Sequence, residues 1–522
     1  MSGAKEKLIL ILILAVAFVF RFQDIQSIPP GLYPDEAING NNALIALETG
    51  DYKVFYPENN GREGLFINIQ ALSLKLFGAE PWALRNVSAL FGFLTVLGLY
   101  LLVRLLFNWQ IASIASFYLA VSFWHVVFSR IGFRAIMVPF LMVWGVYFLW
   151  RGLRDFKFKF FALSGLFFGL GFHSYIAFRF VPFIVILLLL SYWRSIKKDY
   201  GREKYLNLRN EFLRRFTLFF LMAFFIALPI LYYFWQNPGD FIGRSGQISI
   251  FEAQEPVKEF FKSLGLALTS FNFTGDFNWR HNFSGSPLLF WPVGAFFIIG
   301  LLKSFAKCFK KWQEHGHPAA LHVLLLSWFF IMLLPSALTR EGIPHALRLI
   351  GVLPVVIIFA AEGTWWFFET LIHWYREKDI HPLESPYKKE KEARLFVGAA
   401  LIFLLASIGF VEYDKYFNQW AKRLEVQDAF SADFVEVGKT INQLRRPKGL
   451  EPRPQASGLP IYVVVNTDGV LVDSIPMPAQ TVMFITRTYT KERQKEKNVF
   501  YILPGEEKNI REPNAIILSM TP

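Results

Sequence analysis

The feature that most constrains this chain is its series of long, uninterrupted apolar runs. A bilayer core about 30 Å thick takes roughly 20 apolar residues in a helix. Within lipid, only helices and closed barrels satisfy their own backbone hydrogen bonds. The runs are continuous and do not alternate apolar with polar, so helices are predicted. Eleven can be read: Leu8–Phe22, Leu84–Phe107, Ile111–Phe128, Ala135–Trp150, Phe161–Ile176, Val181–Trp193, Phe216–Trp235, Leu288–Leu302, Leu321–Ser336, Ala346–Ile372 and Leu395–Val411. Only 18% of the residues are charged, against about 25% in soluble domains. The predicted class is an all-α polytopic membrane protein with a small C-terminal α/β domain.

The net charge of +13 raises nucleic acid as a partner, but the distribution argues for a bilayer and against nucleic acid. Basic residues gather in alternate loops: Arg151 to Lys159, Arg194 to Arg215, Lys303 to Lys311, and Arg376 to Arg394. With the N-terminus inside, the spans put every one of these loops inside, as the positive-inside rule requires. The segment after the first run, Arg21-Phe22-Gln23-Asp24, lacks a small-residue cleavage site, so an uncleaved helix is predicted. The expected location is a cell membrane, with residues 23–83, 236–287 and 412–522 facing out. The single cysteine, Cys308, excludes an intramolecular disulfide.

Two domains are predicted, a membrane domain over 1–411 and an extracytoplasmic one over 412–522. In the tail, Ser431–Leu444 has helical spacing. Ile461–Val465, Val482–Ile485, Val499–Leu503 and Ala515–Leu518 are short β-rich runs. The tail has no catalytic signature and reads as a solvated cap.

Charged residues next to a membrane are costly and so draw functional attention. Tyr33-Pro34-Asp35-Glu36 follows the first run, with Asp35 placed to cap a helix that starts at Glu36. Further along stand Gly61-Arg62-Glu63-Gly64 and then Leu84-Arg85 at the start of the second run. Ser129-Arg130 through Arg134, His173 with Arg179, Arg340 through Arg348, and Tyr413 through Trp420 fall on the same predicted side.

This order of motifs resembles the first outer loop and following spans of the GT-C superfamily, in particular the family-39-type glycosyltransferases related to protein mannosyltransferases and aminoarabinose transferases. The resemblance implies a polyprenyl-phosphate-linked monosaccharide donor and an acceptor on a protein, a lipid or an envelope glycan. It also implies direct displacement that inverts the anomeric centre. It assigns the base to Asp35, with Glu36 and Glu63 beside it. The donor phosphate is expected on Arg130, Arg134, His345 and Arg348. No cofactor is required, but a divalent ion on Asp35, Glu36, Glu63 or His345 is compatible with the pattern. Two rival readings are a lipid-linked-glycan flippase or transporter, and an O-antigen-ligase-like enzyme using Arg244 and Arg280. The chain has no evident internal repeat of the kind many transporters carry.

Overall fold

A computed structural model describes residues 2–199, 202–247, 249–313, 318–377, 386–445 and 458–521. Parts of the basic stretches Arg194–Arg215 and Arg376–Arg394, and the side chain of Arg244, lie outside the described residues. The first helix, α1 (Ser2–Phe22), leads into a segment carrying α2 (Pro34–Thr49) and α3 (Gly64–Phe77). Between these two helices, strands β1 (Phe55–Tyr56) and β2 (Arg62–Glu63) pair antiparallel. The bundle continues through α4 (Pro81–Leu106), α5 (Trp109–Val121), α6 (Phe123–Arg130), α7 (Met137–Asp155), α8 (Phe158–Gly171), α9 (Val181–Asp199) and α10 (Arg202–Gln236). The next connection carries α11 (Pro238–Gln247) and α12 (Pro256–Thr269). The bundle ends with α13 (Trp291–Gln313), α14 (Pro318–Ala337), α15 (Leu353–Glu377) and α16 (Pro386–Tyr413).

All eleven predicted runs fall at least partly on helices. Among the described residues, eight helical segments are long and apolar enough to cross a membrane, or nine if the bent pair α5–α6 is one span. In α1, Lys5, Glu6 and Lys7 at one end and Arg21 at the other shorten the apolar stretch, and α8 is short at 14 residues. The predicted Ile111–Phe128 run is broken at Ser122, with a 56° bend. The break is satisfied in two ways: Ser122 Oγ accepts the His125 N–H, and the buried Glu412 carboxylate accepts the Phe123 N–H at 2.8 Å. A helix start inside a core needs such acceptors, because its first N–H groups have no helical partner.

The predicted Ala346–Ile372 helix begins only at Leu353. Pro354 lacks an N–H and suits a helix's first turn. Residues 346–352 instead fold as turns, held by the buried indoles of Trp124 and Trp328, which donate to Ala346 O and Gly351 O. Faces of α10 and α16 leave Phe220, Phe224, Phe225, Phe396, Phe403 and Phe410 exposed, as lipid-facing surfaces do. The chain is a multi-pass membrane protein.

Beyond α16, residues 414–422 continue as helical turns, followed by α17 (Leu424–Ala429) and α18 (Ala432–Arg445). Tyr416, Phe417, Trp420, Val426 and Phe430 pack into the core of the bundle, so the stretch after residue 411 is partly bundle. The C-terminal unit has a parallel sheet of three strands, β3 (Ile461–Val465), β6 (Val499–Ile502) and β7 (Ile516–Met520), with β3 central. A small antiparallel pair, β4 (Leu471–Val472) and β5 (Ile475–Pro476), lies beside it. Helices α19 (Ala479–Thr486) and α20 (Lys491–Lys497) complete the unit. The run Val482–Ile485, read as β-rich, is helical because it lies within α19, where Val482 and Phe484 are fully buried. Local β preference yields to burial on a helix face.

Candidate functional site

The candidate site gathers at the end of the bundle where α1 finishes and α4 begins. It is assembled from segments far apart in the chain, and charged side chains are sorted into two layers. The lower layer is fully buried. Arg85 grips both carboxylate oxygens of Glu36, at 3.0 and 3.1 Å, and also donates to Pro29 O and Gly31 O. Glu36 further accepts the Gly132 N–H at 2.8 Å and the Tyr33 N–H at 3.3 Å. Tyr33, rather than Asp35, is therefore the N-cap of α2, and the helix starts two residues earlier than expected, at Pro34. Proline is pre-organised for that place.

Arg130 belongs to the same layer. It is buried, donates to the carbonyls of Phe20, Gln23 and Ile28, and sits against the rings of Tyr416 and Phe417. Its terminal nitrogens are engaged at the exit of α1, while its Nε is buried with no hydrogen-bond partner among the described residues. Glu36, expected as an accessory acid and metal ligand, is held by Arg85 and two main-chain N–H groups. Both are bonded in a closed network, which is how buried charges are tolerated.

The upper layer is more open. Asp35 is half-buried in the first turn of α2 and accepts a short hydrogen bond from the Asn59 amide. Arg62 lies nearby and donates to Asn39 Oδ1 and Asn42 Oδ1, both at 2.7 Å. Burial, reinforced by the nearby Arg134, lowers the Arg62 pKa to about 10, so it stays cationic at neutral pH. Glu63 is paired with Arg134 at 2.6 Å, and Arg134 also packs over the Tyr175 ring. Arg280 stacks over the Tyr33 ring with its guanidinium 3.9 Å from the ring centre. Arg348 donates to Thr339 Oγ1 and Glu341 O, which holds its own loop closed. His173 lies in reach of Ile226 O at 2.9 Å.

A third group was not visible as a unit in the sequence. Asp276, His281 and His345 offer ligand atoms that all lie within 4.8 Å of one another. One Asp276 oxygen is 3.2 Å from His281 Nδ1 and 3.9 Å from His345 Nδ1, and it also accepts the Ala346 N–H. Burial pushes the His281 pKa down, against the pull of Asp276. Two imidazoles with one carboxylate form a donor set suited to a borderline metal such as zinc. Of the expected metal ligands only His345 enters this set. Glu36 and Glu63 are tied to arginines, and Asp35 is not in it. The sequence signal was slight: Asp276 and His281 share one loop, where Asp276 Oδ1 accepts the Asn278 N–H and turns the chain. Contacts link this group to the Asp35 side, since the Phe133 ring meets both Tyr33 and His281.

The helix carrying Asp35 is also held from the C-terminal unit. Asn41 donates to Gln480, Thr481 Oγ1 donates to Leu32 O, and Glu48 pairs with Tyr489 and Arg493. Gly40 meets the Phe484 ring so closely that a Cβ there would overlap it. The unit read as a solvated cap is thus docked on α2.

Residues 65–208 match the family of dolichyl-phosphate-mannose-protein mannosyltransferases. No curated protein is similar enough in sequence to match the chain. Among solved structures, ArnT from Cupriavidus metallidurans bound to undecaprenyl phosphate is similar at 14% identity and a TM-score of 0.53, over 99% of this chain and 90% of that one. The Archaeoglobus fulgidus oligosaccharyltransferase tethered with an acceptor peptide is similar at 14% identity and a TM-score of 0.52, over 95% and 68%. The same oligosaccharyltransferase in complex with zinc and sulfate has a TM-score of 0.51 at 14% identity, over 95% and 62%.

Proposed function

We propose, for a chain that has the fold of the GT-C glycosyltransferases, that it moves a monosaccharide from a polyprenyl phosphate to an acceptor hydroxyl. The acceptor oxygen forms its bond to the anomeric carbon as the bond from that carbon to the phosphate oxygen breaks. The bonding pair leaves with the polyprenyl phosphate, and the hydroxyl proton passes to a carboxylate. Direct displacement of this kind inverts the anomeric centre.

Asp35 is the base in this reading. One observation carries it: of the three candidate acids Asp35, Glu36 and Glu63, Asp35 is held by the Asn59 amide, while the other two are ion-paired with arginines. A carboxylate already neutralised by a guanidinium is a poor proton acceptor. Arg134 and Arg280 are the cations best suited to the departing phosphate. Arg134 is partly exposed, and Arg280 keeps a buried Nε that has no hydrogen-bond partner among the described residues.

A metal held by Asp276, His281 and His345 would, when bound, add positive charge beside the leaving group. Metal analysis of dialysed protein gives a readout apart from turnover. Zinc should be retained by the parent chain and lost in Asp276→Ala. The membrane orientation that fits this reading has the Asp35 end outside and the N-terminus of α1 in the cytoplasm of a cell membrane.

The decisive test is sugar transfer in vesicles by Asp35→Asn, with membrane insertion checked in parallel. Positioned general bases contribute about 10²–10⁴-fold, so a loss of that size is expected. Full turnover in the inserted variant would remove Asp35 from the chemistry.

A further inference from the structure

The C-terminal unit contains a cavity that sugar transfer leaves unused. It lies between the last turn of α18, the end of α19 and the corner joining α20 to β6, and has a volume of about 240 Å³. Ile441 and Val499 give it an apolar base in the core of the unit. Its polar wall is formed by Asn442, Arg445, Glu496 and Lys497.

The charge of this wall is not balanced from within. Arg445 donates through one terminal nitrogen to Leu459 O and Asn498 O, at 3.0 and 2.7 Å. Its Nε is buried with no hydrogen-bond partner among the described residues. Leaving such a buried donor unmet is costly. Lys497 is half-buried and donates to Thr486 O at 2.7 Å. An ammonium has three donors, and a main-chain carbonyl carries no full charge to offset it. The one acid in the wall, Glu496, lies 3.9 Å from Arg493, outside the wall. Burial, then the neighbouring Arg487 and Arg493, push the Lys497 pKa down, with Glu496 opposing. The site is thus short of negative charge, and it sits on a frame of three helices and a strand.

We propose that this cavity binds the phosphoryl group of a phosphorylated saccharide. A compact ammonium beside a guanidinium suits a phosphate oxyanion. The volume exceeds what a lone phosphate fills, and the apolar base would meet the carbon face of an attached sugar ring. The site is separate from Asp35 and does not depend on the transfer reading.

The test is equilibrium dialysis of the full-length protein in lipid nanodiscs with labelled glucose 6-phosphate. Inorganic phosphate, glucose and glucuronate serve as competitors. Saturable binding is expected, displaced weakly by phosphate and not by glucose. Lys497→Met and Arg445→Gln should each weaken it about tenfold, a change of about 1.4 kcal/mol. Lys497→Arg should retain it, which guards against misreading a folding defect. Asp35→Asn should bind normally, so this result and the fate of the transfer reading are separable. Three results would overturn the proposal: no saturable binding, equal binding by Lys497→Met and Arg445→Gln, or displacement by glucuronate as strong as by glucose 6-phosphate itself.

Discussion

The two layers at the end of the bundle use the same residue types for opposite ends. In the lower layer, Glu36, Arg85 and Arg130 are buried and spend most of their polar atoms on one another or on main-chain groups. In the upper layer, Asp35 and Arg134 keep part of their surface open. Asp35 and Glu36 are adjacent in sequence, yet the rotation of about 100° between neighbours on a helix points them into different surroundings. A carboxylate locked by a bidentate guanidinium stabilises a fold, and one on a neutral amide remains a base. Residue type suggests chemistry; the partner decides whether it is available.

This contrast can be broken by substitution. The largest separation is expected between Asp35→Asn and Glu36→Gln. The first should lower turnover by about 10²–10⁴-fold with little change in thermal stability. The second leaves Arg85 with an uncompensated buried charge, which costs about 3–5 kcal/mol and should appear as a large drop in melting temperature. If Glu36→Gln melts like the parent, the closed network is not what holds this layer.

Arg130→Ala and Arg134→Ala sharpen the same division. Arg130→Ala should destabilise by about 3 kcal/mol through its lost buried bonds, with KM for the donor unchanged in the folded fraction. Arg134→Ala should raise KM for the polyprenyl-phosphate donor, and because it leaves the buried Glu63 unpaired, a lower melting point should accompany it. A smaller effect is expected at the docked C-terminal unit. Asn41→Ala removes its bonds to Gln480 and should cost about 1 kcal/mol, seen as faster hydrogen exchange in α2.

The smallest effect concerns Glu48. Burial acts to raise its pKa, but hydrogen bonds from Arg493 and Tyr489 outweigh that and hold it below the ordinary value. A depressed acid stabilises above its unfolded pKa, about 4.3, and that contribution is lost as pH falls through the lower folded value. Glu48→Gln should therefore cost at most about 1 kcal/mol at pH 7 and nothing at a pH below both values. Melting curves of both chains across pH 3–7 check this.

Much of the bundle was legible because lipid burial imposes a one-dimensional rule: a continuous apolar run long enough to cross becomes a helix. The break at Ser122 and the late start of α15 were not legible, since they depend on Glu412, Trp124 and Trp328 arriving from elsewhere in the chain. In the tail, α18, β3, β6 and β7 followed their local patterns, while Val482–Ile485 was drawn into α19 by its packing on α2.

The sequence by itself determined that the chain crosses a membrane many times and that charged residues cluster between its first spans, because hydropathy and charge are local properties. Only the tertiary structure separated Asp35 from Glu36, withdrew Arg130 from the surface, and joined Asp276 and His281 to His345. Those outcomes depend on which distant carbonyl, carboxylate or ring meets each side chain, and such meetings are fixed by packing in three dimensions.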